Sequence, residues 1–98
     1  MKTKYLLTVE EFCDNHNIKV SFVRSLQQSG LLELTTVKET TFLKADQLHL
    51  AEKYMRFYYE MDINLEGIET ITHLLQQISI MQTEIISLRN RLRLYEIE

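Results

Sequence analysis

The sequence predicts a mainly α-helical protein, with a small head of two short helices and a hairpin followed by one long C-terminal helix. Three observations carry that expectation. The 98 residues include no proline and only two glycines, Gly30 and Gly67, so little interrupts helix or supplies a flexible linker. Residues 7–43 hold two short helical patterns and then a threonine-rich alternating stretch. From Ile71 onward, apolar residues recur in steps of three and four with no breaker, the signature of a helix that zips against another helix.

Leu7-Thr8-Val9-Glu10-Glu11-Phe12 opens the first helix. Thr8 and Glu11 have capping-box spacing, and Leu7 with Phe12 has the spacing of a hydrophobic staple. Asn15-His16-Asn17 ends it, because short polar side chains compete for the backbone. A second unit begins at Ile18, with Val20, Phe22, Val23 and Leu26 giving helical spacing up to Ser29. Gly30 is suited to the left-handed C′ position. Two short helices joined by a tight turn make a helix-turn-helix. Leu31 to Thr36 and Thr40 to Leu43 then read as a hairpin, the wing, around Val37-Lys38-Glu39. No Asn-Gly marks its turn, so the turn type stays open.

A third amphipathic helix is expected from about Ala45 to Met61, with Leu48, Ala51, Tyr54, Met55, Tyr58 and Met61 on its apolar face. Phe57-Tyr58-Tyr59 cannot all point one way, so at least one ring belongs to a second surface. Asn64 is a good N-cap, with Ile63 and Ile68 at staple spacing. The predicted organisation is a winged helix-turn-helix domain over 1–62 and a coiled-coil segment over 63–98. In the latter, Ile71, Leu74, Ile78, Met81, Ile85, Leu88, Leu92 and Tyr95 fill the a and d positions. A helix of some 30 residues is roughly 45 Å long, more than a head of this size covers, and a second copy of the chain is the simplest cover. Leu75, Ile80, Ile86 and Leu94 lie off the stripe, which leaves room for a contact with the head or for a larger assembly. The charges of Glu84 with Arg89 and of Arg91 with Glu96 suit a parallel pair.

Composition narrows the function. Net charge is −3, and residues 1–60 balance eight cations against eight anions. A duplex reader is ordinarily basic on one face, so the balance argues against DNA and suits a basic protein partner. The lone Cys13 forms no internal disulfide and fits a reducing cytoplasm. Neither a signal peptide nor a membrane span is expected. Catalytic motifs are absent, His16, His49 and His73 are scattered, and one thiol does not make a soft-metal site. No enzyme activity, cofactor or metal is therefore expected. On the second helix Arg24 is the cation, with Lys19 at its start; the wing adds Lys38 and Lys44 but also Glu33 and Glu39.

FVRSLQQSGLL at 22–32 resembles the second helix of the MerR-type winged-helix regulators, whose pattern there is roughly T-I-R-Y-Y-E-x-x-G-L-L. Arg24, Gly30, Leu31 and Leu32 match, whereas Ser25 and Leu26 stand in place of the tyrosine pair. The resemblance implies that DNA-backbone contacts made by aromatic and basic residues in that family are reduced here. The chain is also similar to the chaperone-modulator, CbpM-like branch. That likeness is carried by Glu11-Phe12-Cys13, Gly30-Leu31-Leu32-Glu33, Glu39-Thr40-Thr41-Phe42, Arg56 on the third helix, Ile63-Asn64-Leu65-Glu66-Gly67-Ile68, and the Leu/Arg-rich stretch from Ile85 to Tyr95. It implies a homodimer that binds the J-domain of a DnaJ-like (CbpA-type) co-chaperone and blocks its stimulation of Hsp70, with no appended effector domain. The MerR likeness further implies an antiparallel pairing of the long helices. Arg24, Glu33 and Glu39 are the candidate partner-binding residues. Two alternatives stand beside this reading: a small MerR-type DNA-binding regulator, with weak duplex affinity, and a purely structural role for the long helix.

Overall fold

Capping chemistry sets the boundaries of the first two helices. In a computed structural model, which describes residues 5–97, β1 (Tyr5–Thr8) leads directly into α1 (Val9–His16). Thr8 Oγ1 accepts the Glu11 N–H at 3.0 Å, and the Glu11 carboxylate accepts the Thr8 N–H at 3.0 Å. This is the reciprocal capping box that the spacing predicts. Asn17 ends α1 in the left-handed region at φ 58°, a conformation that asparagine tolerates better than most residues. α2 (Val20–Gln28) follows after a turn of three residues. At its end the Leu31 N–H bonds to the Leu26 carbonyl and the Gly30 N–H to that of Gln27, both at 3.0 Å. With Gly30 at φ 81°, these bonds complete a Schellman motif.

The wing is β2 (Thr35–Val37) and β3 (Thr40–Lys44). Its two-residue turn holds Lys38 at φ 51° and Glu39 at φ 67°, both positive as a type I′ hairpin turn requires. Neither residue favours that region, so the turn carries strain of about 1 kcal/mol or more per residue. A third strand joins the hairpin. β1 pairs antiparallel with β3, giving the order β1-β3-β2. The sequence reading contains the hairpin but not β1, whose partner lies more than 30 residues away along the chain.

α3 (Ala45–Met55) passes without a break into a π-helical turn, Arg56–Glu60. There the Met61 N–H bonds five residues back, to the Arg56 carbonyl at 3.1 Å. The wider turn rotates the following side chains off the face that a 3.6-residue period projects. Ala51 and Tyr54 are buried as expected. Tyr58 and Met61, expected on the same apolar face, are instead exposed. Together with Phe12, Val23, Leu26, Leu43 and Ile68, Ala51 and Tyr54 belong to one core.

Two compact units divide the chain, Met1–Ile68 and Glu69–Glu98. The turn at 62–64 leads into α4 (Leu65–Ile97), one unbroken helix of 33 residues. Asn64 caps it by accepting the Gly67 N–H at 2.8 Å. Ile68, in its first turn, is wholly buried in the head's core. Gly67 is needed for space: a Cβ there would lie 2.7 Å from Ile63 Cγ2 and 3.1 Å from Asn64 Oδ1. Farther along, seven of the eight predicted stripe residues, Leu74 to Tyr95, are between 45% and 75% exposed, and Ile71 is half-buried. Leu75, Ile80, Ile86 and Leu94 are exposed as well.

Two substitutions test these constraints. Replacing Lys38-Glu39 with Asn-Gly removes the turn strain and is expected to raise thermal stability by about 1–2 kcal/mol, read as an increase in Tm. Gly67→Ala gains roughly 1 kcal/mol of helix propensity but crowds Ile63, so a net loss of about 1 kcal/mol is expected. The loss should shrink in the Ile63→Ala background; simple additivity in a double-mutant cycle would contradict the proposed clash.

Candidate functional site

One groove on the head gathers residues from three elements. Thr8, Val9 and Glu10 come from the start of α1, Val20 and Arg24 from α2, and Glu39, Thr40 and Thr41 from the wing. Together they line an open depression of about 150 Å³. Each is positioned by a local device already described. The Thr8 cap fixes where α1 starts and so where Glu10 stands. Val20 and Arg24 are four residues apart on α2 and share a face. The left-handed turn at Lys38-Glu39 brings Glu39 back toward the helices.

The electrostatics of this groove differ from those of a phosphate-binding surface. Of the charged residues that line it, Arg24 is the one cation, and Glu10 and Glu39 are the two anions. The remaining polar side chains of α2 are partly committed elsewhere. Ser25 donates to the Ser21 carbonyl at 3.0 Å and Ser29 to the Ser25 carbonyl at 2.7 Å, so both hydroxyls bond to their own helix. Ser21, Gln27 and Gln28 are exposed. Thr36 and Thr41 face one another across the wing, oxygen to oxygen at 3.3 Å.

Of the three candidate partner-binding residues, Arg24 and Glu39 share the groove, and Glu33 lies outside it. Glu33 follows the end of α2 in an extended segment, where its N–H bonds to Gln47 Oε1 at 2.9 Å. Its own side chain is exposed. Sequence reasoning missed Glu10, because nothing in one dimension links the first turn of α1 to the tip of the wing. The signal that was available is the acidic first turn itself, Glu10-Glu11, of which only Glu11 has a role in the sequence pattern, as the capping-box partner of Thr8.

Other candidate groups have structural settings. Cys13 is buried in the core, and burial pushes its thiol above the ordinary value, with the Asp14 carboxylate adding to the shift. The deprotonated thiolate is the reactive form, so this position suits packing. The His16 ring lies 4.6 Å from the Phe12 ring. Among the described residues, no three potential metal ligands gather, and no helix is long and apolar enough to cross a membrane.

The order of elements and the groove between α1, α2 and the wing correspond to a regulator's winged helix-turn-helix. The sequence model of the family described as MerR HTH family regulatory protein matches residues 7–90. The chain belongs to the MerR helix-turn-helix family of regulatory proteins. Neither the curated proteins nor the solved structures provide a match. The family match spans both the head and most of α4, so the long helix is part of what this MerR-family chain shares with its relatives.

Proposed function

We propose that this MerR-family protein is a modulator of a DnaJ-like (CbpA-type) co-chaperone, binding the basic J-domain and blocking its stimulation of Hsp70. The observation that carries the proposal is the company of Arg24. In the groove where a DNA reader gathers cations, Arg24 shares the lining with Glu10 and Glu39. Such a surface repels phosphate and favours a positively charged protein face. The CbpM-like motifs named above supply the identity of that partner. The function also calls for two copies, held together through the α4 stripe Ile71, Leu74, Ile78, Met81, Ile85, Leu88, Leu92 and Tyr95. The exposure of that stripe in the single chain supports the pairing.

DNA binding is the second reading. It is favoured by family membership and by the exposed cations Lys19, Arg24 and Lys38.

Binding measurements with a J-domain fragment and with a DNA duplex separate the two. The modulator is expected to bind the J-domain, with Glu10→Lys and Glu39→Lys each weakening affinity by about tenfold. Glu33→Lys, outside the groove, should have a smaller effect. A steep fall of duplex affinity with salt, scaling with the number of phosphates contacted, together with no J-domain binding, would establish the DNA reader instead.

A further inference from the structure

A second surface of the head is built from aromatic rings and a carboxylate. Phe22, on α2, is largely buried, and it is covered by Tyr58 and Tyr59 from the π-helical turn. The Phe22 and Tyr58 rings lie 4.5 Å apart, Phe22 and Tyr59 5.4 Å, and the two tyrosines 5.0 Å edge to face. Tyr59 Oη also accepts the Lys19 N–H at 3.4 Å. With these contacts made, about 40% of each tyrosine remains exposed. Next to them is an open depression of about 360 Å³, lined by Tyr58, Tyr59, Asp62, Ile63 and Asn64.

Asp62 gives this depression its charge. It holds φ 57°, a left-handed conformation that costs a non-glycine residue free energy. Among the described residues, no hydrogen bond or ion pair engages its carboxylate. Glu60, at the end of the π-helical turn, is a second exposed anion nearby in sequence. The internal cation–π contact found in the head is elsewhere, with Lys53 Nζ 5.7 Å from the Tyr54 ring. Two tyrosines that are each about 40% exposed, beside a carboxylate with no protein partner, suit a cation, which aromatic rings attract through their quadrupoles and the carboxylate by charge.

We propose that the Tyr58–Tyr59–Asp62 depression seats an arginine or lysine side chain projecting from a basic helix of the partner protein. This surface is separate from the Arg24 groove, because Phe22 and Arg24 are two residues, or about 200°, apart around α2. It deepens the modulator reading, on which the identity of the partner rests, by adding a second contact of stated chemistry.

The test uses the full chain with isotope-labelled tyrosines and two probes: a J-domain fragment, and a helical peptide with arginines along one face. An otherwise identical peptide with glutamine in place of arginine is the control. The Tyr58 and Tyr59 ring resonances should shift with the arginine peptide and not with the glutamine one. Asp62→Gly relieves the backbone strain while removing the carboxylate, so it should fold at least as stably yet bind the arginine peptide about five- to tenfold more weakly. Tyr58→Leu, which keeps Phe22 covered, should weaken binding similarly. Equal binding by Asp62→Gly, or equal shifts with both peptides, would overturn the site. If the J-domain binds without moving these rings and the arginine peptide does not move them either, the site falls while the modulator reading stands. If only the arginine peptide moves them and the J-domain does not bind at all, the site stands and the modulator reading falls.

Discussion

Water along one line of α4 is the physical constraint on which the proposed pairing of two copies rests. Seven large apolar side chains from Leu74 to Tyr95 are about half exposed or more, at the spacing of a coiled-coil seam. Covering the exposed half of such a side chain is worth about 1 kcal/mol. Two copies of the stripe, fully covered, therefore offer about 14 kcal/mol, of the same size as an association cost of roughly 4–15 kcal/mol. Exposed ion pairs such as those available to Glu84 and Arg91 are worth about 0–1 kcal/mol each, so they bear on orientation more than on affinity. Apolar burial thus outweighs every other contribution to the proposed pairing of α4.

The head separates the devices that build a winged helix-turn-helix from the side chains that give its surface a charge. The frame depends on backbone devices: the Thr8–Glu11 box, the left-handed Asn17, the Schellman end at Gly30 and the two-residue wing turn. None of these needs a cation. The character of the surface depends on a few side chains that the frame holds in place. Here the groove carries two carboxylates and one guanidinium, and the aromatic surface carries Asp62. The proposed positively charged partner would meet both, from different sides of α2.

Much of this was legible in the sequence wherever the determining interaction is local. Capping boxes, C′ glycines and N-cap asparagines act within six residues, so Thr8, Gly30 and Asn64 were readable directly. A long C-terminal helix was readable because no proline interrupts its period, whereas its continuing unbroken through His73 was not. What was not legible depends on distant pairing or on a change of period. β1 exists because Leu7 and Thr8 meet Leu43 and Phe42, and a four-residue strand carries no periodic signal of its own. The π-helical turn at Arg56–Glu60 breaks the rule that assigned Tyr58 and Met61 to the core face. Lys38-Glu39 lacks the residues that announce a type I′ turn, yet adopts its dihedral signs. Of the candidate site, Arg24 and Glu39 were readable as exposed charges, but their meeting with Glu10, and the separation of Glu33, are consequences of tertiary structure.

The claim that two heads are joined through α4 is tested most directly by sedimentation equilibrium of the full chain at micromolar concentration. A mass about twice the 11.7 kDa of one chain is expected, reverting to one chain when Ile78 and Ile85 are both replaced by aspartate. A mass of one chain throughout the micromolar range would contradict the claim.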